Sequence, residues 1–301
     1  MKIVVGSRGS KLALYQSNWV IDKLKEKNPN LEFELKIIKT KGDLIQNVAL
    51  DKIGDKGLFV KEIEEQLLNG EIDLAVHSMK DMPSKLPEGL MFSYSPMRED
   101  NRDVIVLKEG YNSLEDLPKG ATIGSGSKRR KYQLLKHRPD LNIVPIRGNI
   151  DTRIRKIKDE NLDGVILAAA GIQRLDFKSK INNKIEYISR DIILPAPAQG
   201  ILALEIREDR KDINEIISSI RDERTEIERE AERAFLDGIE GSCHIPVGAN
   251  CEILEDKIVL EGLYGTEDGE ILIKKSIEGT KEKAAELGYK LAEIIAKEME
   301  K

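Results

Sequence analysis

The sequence predicts an α/β protein of two similar lobes around a cleft, followed by a small α+β domain. Three observations predict it. Short strand and helix patterns alternate from the first residue, a strand–Gly/Ser loop–helix unit occurs twice, and the grammar changes to consecutive strands near the C-terminus.

Lys2–Val5 has the composition of a short buried strand, and a small-residue loop, Gly6-Ser7-Arg8-Gly9-Ser10, follows it. Leu12, Tyr15, Trp19, Val20 and Leu24 then recur at helical spacing. Leu31–Lys39 alternates Leu31, Phe33, Leu35 and Ile37 as a strand does. Val60, Ile63 and Leu67 mark a helix that stops at Asn69-Gly70, and Asp73–His77 is the next strand.

The second unit repeats this order. Ala121–Ile123 is a strand, Gly124-Ser125-Gly126-Ser127 its loop and Lys128–His137 a helix; Ile150, Ile154 and Ile157 mark another helix before the strand Gly164–Leu167. The charged, aperiodic stretch Pro96–Asp103 and the proline-punctuated Leu194–Gly200 read as two crossings between the lobes, with a ligand cleft between them.

After Thr225 a charged amphipathic helix is expected over Thr225–Asp237, with Thr225 as N-cap and Glu228 in the capping-box position. Strands near Ala249–Leu254, Lys257–Tyr264 and Ile271–Ile277 follow, joined by turns at Glu255-Asp256 and Glu267-Asp268-Gly269. A last helix starts near Lys281.

Composition excludes several classes. With 34% charged residues, 4% aromatics and a net charge of −5, the chain has neither the basic surface nor the stacking side chains of a nucleic-acid binder. No apolar run approaches the roughly 20 residues that span a bilayer, and the N-terminal residues show no secretion-signal pattern, so a cytosolic protein is expected. Cys243 and Cys251 form neither a disulfide framework nor a metal-ligand pattern.

Positive charge is nonetheless concentrated. Eleven Lys/Arg residues lie between Lys128 and Lys158, against Asp140 and Asp151. Arg129 and Arg130 fall in the first turn of their helix, where cations disfavour the helix itself but anions are attracted. A solvated basic face and an anion site both account for that pair. Arg147 with Arg153, and Arg8 in the first lobe, repeat the placement, and three such placements point to an anion-filled cleft.

Asp81, in Ser78-Met79-Lys80-Asp81, follows an apolar strand at the edge where open α/β sheets present ligand groups. It suits a general acid/base, an orienter of a substrate N–H, or a turn cap. His77 ends a buried strand and has no visible partner motif, so it reads as structural. Cys243, in an irregular loop, suits a nucleophile, an attachment point or a small buried residue; Cys251, inside a strand pattern, suits the last.

Six segments in order resemble the hydroxymethylbilane synthase (porphobilinogen deaminase) family across essentially the whole chain. They are Gly6–Ser10, Lys56–Glu62, Val76–Asp81, Gly124–Arg130, Arg147–Arg153 and Glu240–Gly248. Lys11, Gly126, Lys128 and Ser242 depart from the residues common there; Lys128 stands where leucine precedes the arginine pair.

The resemblance implies two lobes like those of type II periplasmic binding proteins and a small cysteine-bearing domain. The implied boundaries are 1–98 with 195–218, 99–194, and 219–301. It implies a monomeric transferase of tetrapyrrole (porphyrin and haem) biosynthesis, with Cys243 carrying a dipyrromethane primer. Four porphobilinogen molecules are added head to tail, each losing ammonia, and water releases the linear tetrapyrrole. On the same basis Asp81 faces the pyrrole nitrogens. Arg8, Arg129, Arg130, Arg147, Arg153 and Arg174 match acetate- and propionate-binding positions, and Ser10, Ser78, Lys80, Ser125 and Ser127 match supporting contacts. Residues 42–59 match a lid, with Lys56 and Phe59 in it.

Two other readings use the same residues. A non-enzymatic two-lobed anion-binding or ligand-sensing protein would use the arginines but has no need of Cys243. A thiol hydrolase would use Cys243 but shows no evident general base.

Overall fold

The computed structural model describes residues 1–44, 60–239 and 245–300. The chain runs β1 (Lys2–Arg8), α1 (Lys11–Lys27), β2 (Glu32–Ile38), α2 (Lys41–Leu44), α3 (Lys61–Leu68) and β3 (Leu74–Ser78), then a 3-10 turn over Met79–Asp81 and β4 (Leu90–Phe92). It continues with β5 (Asp103–Leu107), β6 (Thr122–Gly124), α4 (Lys128–His137), β7 (Asn142–Val144), α5 (Ile150–Asp159) and β8 (Gly164–Ala168). Next come α6 (Ala169–Arg174), α7 (Phe177–Lys180), β9 (Ile185–Tyr187), β10 (Leu202–Arg207) and α8 (Lys211–Ser218). The last elements are α9 (Glu223–Gly238), β11 (Val247–Leu254), β12 (Lys257–Gly265), β13 (Leu272–Thr280) and α10 (Ala284–Met299).

Two α/β lobes and a small α+β domain are therefore present, the fold class that the sequence predicts. The lobes share one topology: sheet orders are β2-β1-β3-β10-β4 and β7-β6-β8-β5-β9. In each, the first three strands are parallel and the fourth and fifth pair antiparallel. Helices cover both faces, because strands buried on both sides need apolar partners above and below. In the first lobe Val20, Leu24, Ile213 and Ile217 pack on one face and Ile63 and Leu67 on the other. In the second, Leu134 of α4 lies on one face and Ile154 and Ile157 of α5 on the other.

The sequence predicts an irregular stretch to the end of Pro96–Asp103, yet Asp103 opens β5, a fully buried strand. β5 and β10 are the antiparallel strands that complete the two sheets. Position also corrects the capping of α9, which begins at Glu223; Asp222 Oδ1 accepts the Thr225 N–H at 2.8 Å, so Asp222 and not Thr225 is the cap. His77 is buried, as its structural reading requires, but it does have a carboxylate neighbour: its Nε2 is 3.1 Å from Glu205 Oε2, across from β3 on β10.

By compactness the chain divides into Met1–Glu99 with Gly200–Glu226, and Asp100–Gln199 with Ile227–Lys301. The second unit contains both the second α/β lobe and the three-stranded antiparallel sheet β11-β12-β13. That sheet buries Ala249, Cys251, Ile258 and Leu260 against Phe235 of α9 and Leu291 of α10. Inside this unit Asn101 Nδ2 donates to Asn250 Oδ1 at 2.7 Å, and Ala249 N to Pro195 O at 2.9 Å. The carboxylate of Glu232 accepts the backbone N–H groups of Ala198 and Cys251 at 2.6 and 2.8 Å.

Candidate functional site

Each lobe gathers its candidate residues at one edge, where parallel strands end. In the first lobe β1 and β3 are parallel neighbours, so the turns that follow them emerge side by side. Arg8 closes β1, and Ser10 caps α1 by accepting Ala13 N–H at 3.2 Å. Ser78 closes β3 and accepts a hydrogen bond from Gln16 Nε2 at 3.0 Å; Lys80 and Asp81 follow in the 3-10 turn, with Asp81 exposed. Ser10 and Ser78 thus have structural partners of their own, whereas the Asp81 carboxylate stands toward water.

In the second lobe β7, β6 and β8 are parallel neighbours, and their ends bring together Ser125, Ser127, Arg129, Arg130 and Arg147. Ser127 caps α4, accepting Arg130 N–H at 3.4 Å, as Ser10 caps α1. Ser125 Oγ in turn accepts Ser127 N–H at 3.3 Å. A side-chain carbon added at Gly126 would stand 2.8 Å from Ile146 O and 3.8 Å from an Arg153 Nη; its absence lets the β6 loop lie against the end of β7. Arg153 Nε donates to Gly148 O at 2.7 Å, which ties the first turn of α5 to the same loop. Arg147 brings a buried Nη2 that has no hydrogen-bond partner among the described residues. Arg174 sits apart from this cluster in sequence position, as the last residue of α6, more than a turn beyond the end of β8. Lys56, Phe59 and Cys243 lie outside the described residues.

Arg129 and Arg130 do not form a solvated basic face. They are 5% and 6% exposed and converge on one carboxylate, Asp103, which is fully buried. Arg129 Nη1 donates to Asp103 Oδ2 and to Leu194 O, both at 2.7 Å. Arg130 donates through Nε to Asp103 Oδ1 at 2.9 Å and through Nη1 to Ile166 O at 3.2 Å. Burial alone would raise the Asp103 pKa, but the charges of Arg129 and Arg130, with hydrogen bonds from Arg129 and Gln199, hold it well below the carboxylate range. Burial is also the main influence lowering Arg129 from its usual value, opposed by the Asp103 charge. Lys128, beside the pair, ion-pairs with Glu267 in the turn between β12 and β13.

Sequence reasoning missed Asp103 and Gln199, since nothing local marks a carboxylate 26 residues from its arginine partner. It also passed over Arg233 on α9, which burial and then Arg229, one turn away, push down to about 10. Two arginines at i and i+4 in an amphipathic helix were the available signal, because like charges at that spacing destabilise a helix.

Among the described residues no group of His, Cys, Asp and Glu suits a metal ion, and no helix is long and apolar enough to cross a membrane. A family model described as porphobilinogen deaminase, dipyrromethane cofactor binding domain, matches residues 3–215. A second, porphobilinogen deaminase C-terminal domain, matches residues 227–297. Proteins called porphobilinogen deaminase are 63% identical in Clostridium novyi (strain NT), covering 99% of this chain and 100% of that one, and 62% identical in Clostridioides difficile (strain 630), covering 100% and 99%. One from Listeria welshimeri is 49% identical, covering 99% of this chain and 95% of that one.

Proposed function

The chain belongs to the porphobilinogen deaminase family, and from that premise we propose how its residues carry the family's reaction. The enzyme is a hydroxymethylbilane synthase, a transferase that condenses four porphobilinogen molecules head to tail with loss of ammonia and releases the linear tetrapyrrole by hydrolysis. The observation that carries this is the ordered match of both family domains over nearly the whole chain. A purely ligand-sensing protein is not favoured.

The cofactor is dipyrromethane, which when bound supplies the primer on which the chain of pyrroles grows. The residues present fit such a group. Each of its two rings carries two carboxylates, and the second lobe provides a buried Arg147 Nη2 without a hydrogen-bond partner among the described residues and two buried guanidinium groups that share one aspartate. A polyanion supplies the acceptors that such donors require.

Asp81 is read as the catalytic carboxylate. Exposed at the end of β3, it would accept pyrrole N–H groups and offset the positive charge that forms as porphobilinogen loses ammonia. Arg8, Arg129, Arg130, Arg147, Arg153 and Arg174 would bind acetate and propionate groups, with Ser10, Ser78, Lys80, Ser125 and Ser127 making supporting polar contacts to cofactor and substrate. Cys243 would anchor the primer through a thioether, a bond that suits a thiol because sulfur is the better nucleophile at neutral pH. Lys56 and Phe59 are assigned to a lid. The protein is further read as a cytoplasmic monomer that works without nucleic acid. Its net charge of −5 supports the absence of a nucleic-acid partner in that reading.

Intact mass of the purified protein tests the proposal. A two-pyrrole adduct that maps to the peptide containing Cys243 is expected; an active protein of unmodified mass overturns the tether.

A further inference from the structure

Two guanidinium groups and one carboxylate make a buried cluster with one positive charge too many. Arg129, Arg130 and Asp103 are 5%, 6% and 0% exposed, and the charges that act on Arg129 are those of Asp103 and Arg130. Withdrawing an unmatched charge from water is costly, so a cluster built only for stability would be expected to balance. Each guanidinium has five N–H donors, and the bonds to Asp103, Leu194 and Ile166 use about half of them. Asp103 by contrast is engaged through both of its oxygens. Its Oδ1 takes Arg130 and Gln199 Nε2, the latter at 3.0 Å, and its Oδ2 takes Arg129.

Gln199 gives the arrangement its rigidity. Fully buried, it donates through Nε2 to Asn101 O at 2.7 Å and Arg102 O at 3.3 Å as well as to Asp103. It thereby joins the segment entering β5 to the returning segment that ends at Gln199 itself, within one compact unit. Gln133 reinforces the return: its side chain accepts Leu194 N–H at 2.9 Å and donates to Leu194 O at 3.1 Å.

We propose that Asp103, held by Gln199, is a positioning residue that orients Arg129 and Arg130 so that their one uncompensated charge meets a pyrrole carboxylate. The inference rests on the reading of these arginines as carboxylate binders. Asp103 touches no substrate; it fixes where the donors point and leaves the charge deficit for the ligand to fill.

The test compares Asp103→Asn, Gln199→Met, Arg129→Leu and Arg130→Leu as purified holoenzymes, by intact mass for primer occupancy and by steady-state kinetics with porphobilinogen. A misaligned charged hydrogen bond corresponds to about a tenfold change. Asp103→Asn is therefore expected to raise KM for porphobilinogen about tenfold and to lower primer occupancy. Gln199→Met, which keeps both ion pairs, should raise KM by a smaller factor. A purely structural role would lower melting temperature and active fraction, hence apparent kcat, with KM unchanged. Wild-type KM in Asp103→Asn overturns the proposal, and if that variant does not fold, wild-type KM in Gln199→Met does so. Should both arginine variants keep full primer occupancy and normal KM, the carboxylate-binding reading itself fails. Should they lose both while Asp103→Asn and Gln199→Met do not, only the positioning role fails.

Discussion

Lys128 Nζ lies 2.7 Å from Glu267 Oε1, so the residue just before the arginine pair joins α4 to the turn between β12 and β13. The contact ties the second α/β lobe to the small domain inside one unit. Tyr132 strengthens it, with its hydroxyl donating to Glu267 O at 3.2 Å and its ring against Gly269, where a Cβ would come within 2.2 Å.

The two halves of this contact should differ in weight. Glu267 is 72% exposed at its side chain, so Lys128→Leu should change stability by no more than about 1 kcal/mol. Gly269 has a φ of +79° and no room for a side chain, so Gly269→Ala should cost about 1–3 kcal/mol. Urea unfolding of both variants checks the order.

Asp81 should separate catalysis from folding. Its carboxylate is exposed, so Asp81→Asn and Asp81→Ala should unfold like the parent protein while turnover falls on the order of 100-fold or more. Asp81→Glu should retain weak activity. Near-normal turnover in folded Asp81→Ala removes it from the reaction.

The buried charge cluster should respond unequally to its own substitutions. Arg129→Leu leaves Asp103 balanced by Arg130, at a cost of about 1–3 kcal/mol. Asp103→Asn leaves two guanidinium groups without an anion and should cost about 3–5 kcal/mol. Because the folded state depresses the Asp103 pKa, its stabilisation is present above the ordinary aspartate range and is lost on acidification below about pH 4. Melts between pH 3 and 7 should show that slope flattened in Asp103→Asn.

Glu64 predicts the opposite slope. Burial, then the Glu205 charge, push its pKa up to about 7, against the influence of His77. A raised carboxyl pKa favours the folded state only while the group is protonated. Stability is therefore lost as pH rises from the ordinary glutamate value through about 7. Glu64→Gln should gain stability relative to the parent at pH 8 and little at pH 5, by thermal melting at both.

The two cysteines should divide cleanly. Cys251 is 3% exposed in the core of the small domain, so Cys251→Ser should cost about 1–3 kcal/mol for its buried hydroxyl yet keep the primer. Cys243→Ser should lack most of the primer mass and make little product. Peptide mapping that places the adduct on Cys251 reverses the assignment.

What the sequence determined by itself is what depends on near neighbours. The 3.6-residue period marked Lys128–His137 at its observed ends, and the turn at Glu267-Asp268-Gly269 carried its own chemistry. The twice-used strand–loop–helix order was visible because each copy is continuous, and Ser10 and Ser127 turned out to cap the two matching helices. Tertiary structure alone decided which distant residues share a low-dielectric interior. Asp103 meets Arg129 and Arg130 across 26 and 27 positions, and His77 meets Glu205 across two strands far apart in sequence. A charge looks the same in the sequence whether it faces water or a buried partner. Only the packing of β5 against β8, with α4 laid over that sheet, turned a first-turn arginine pair from a basic face into a buried cluster short of one anion.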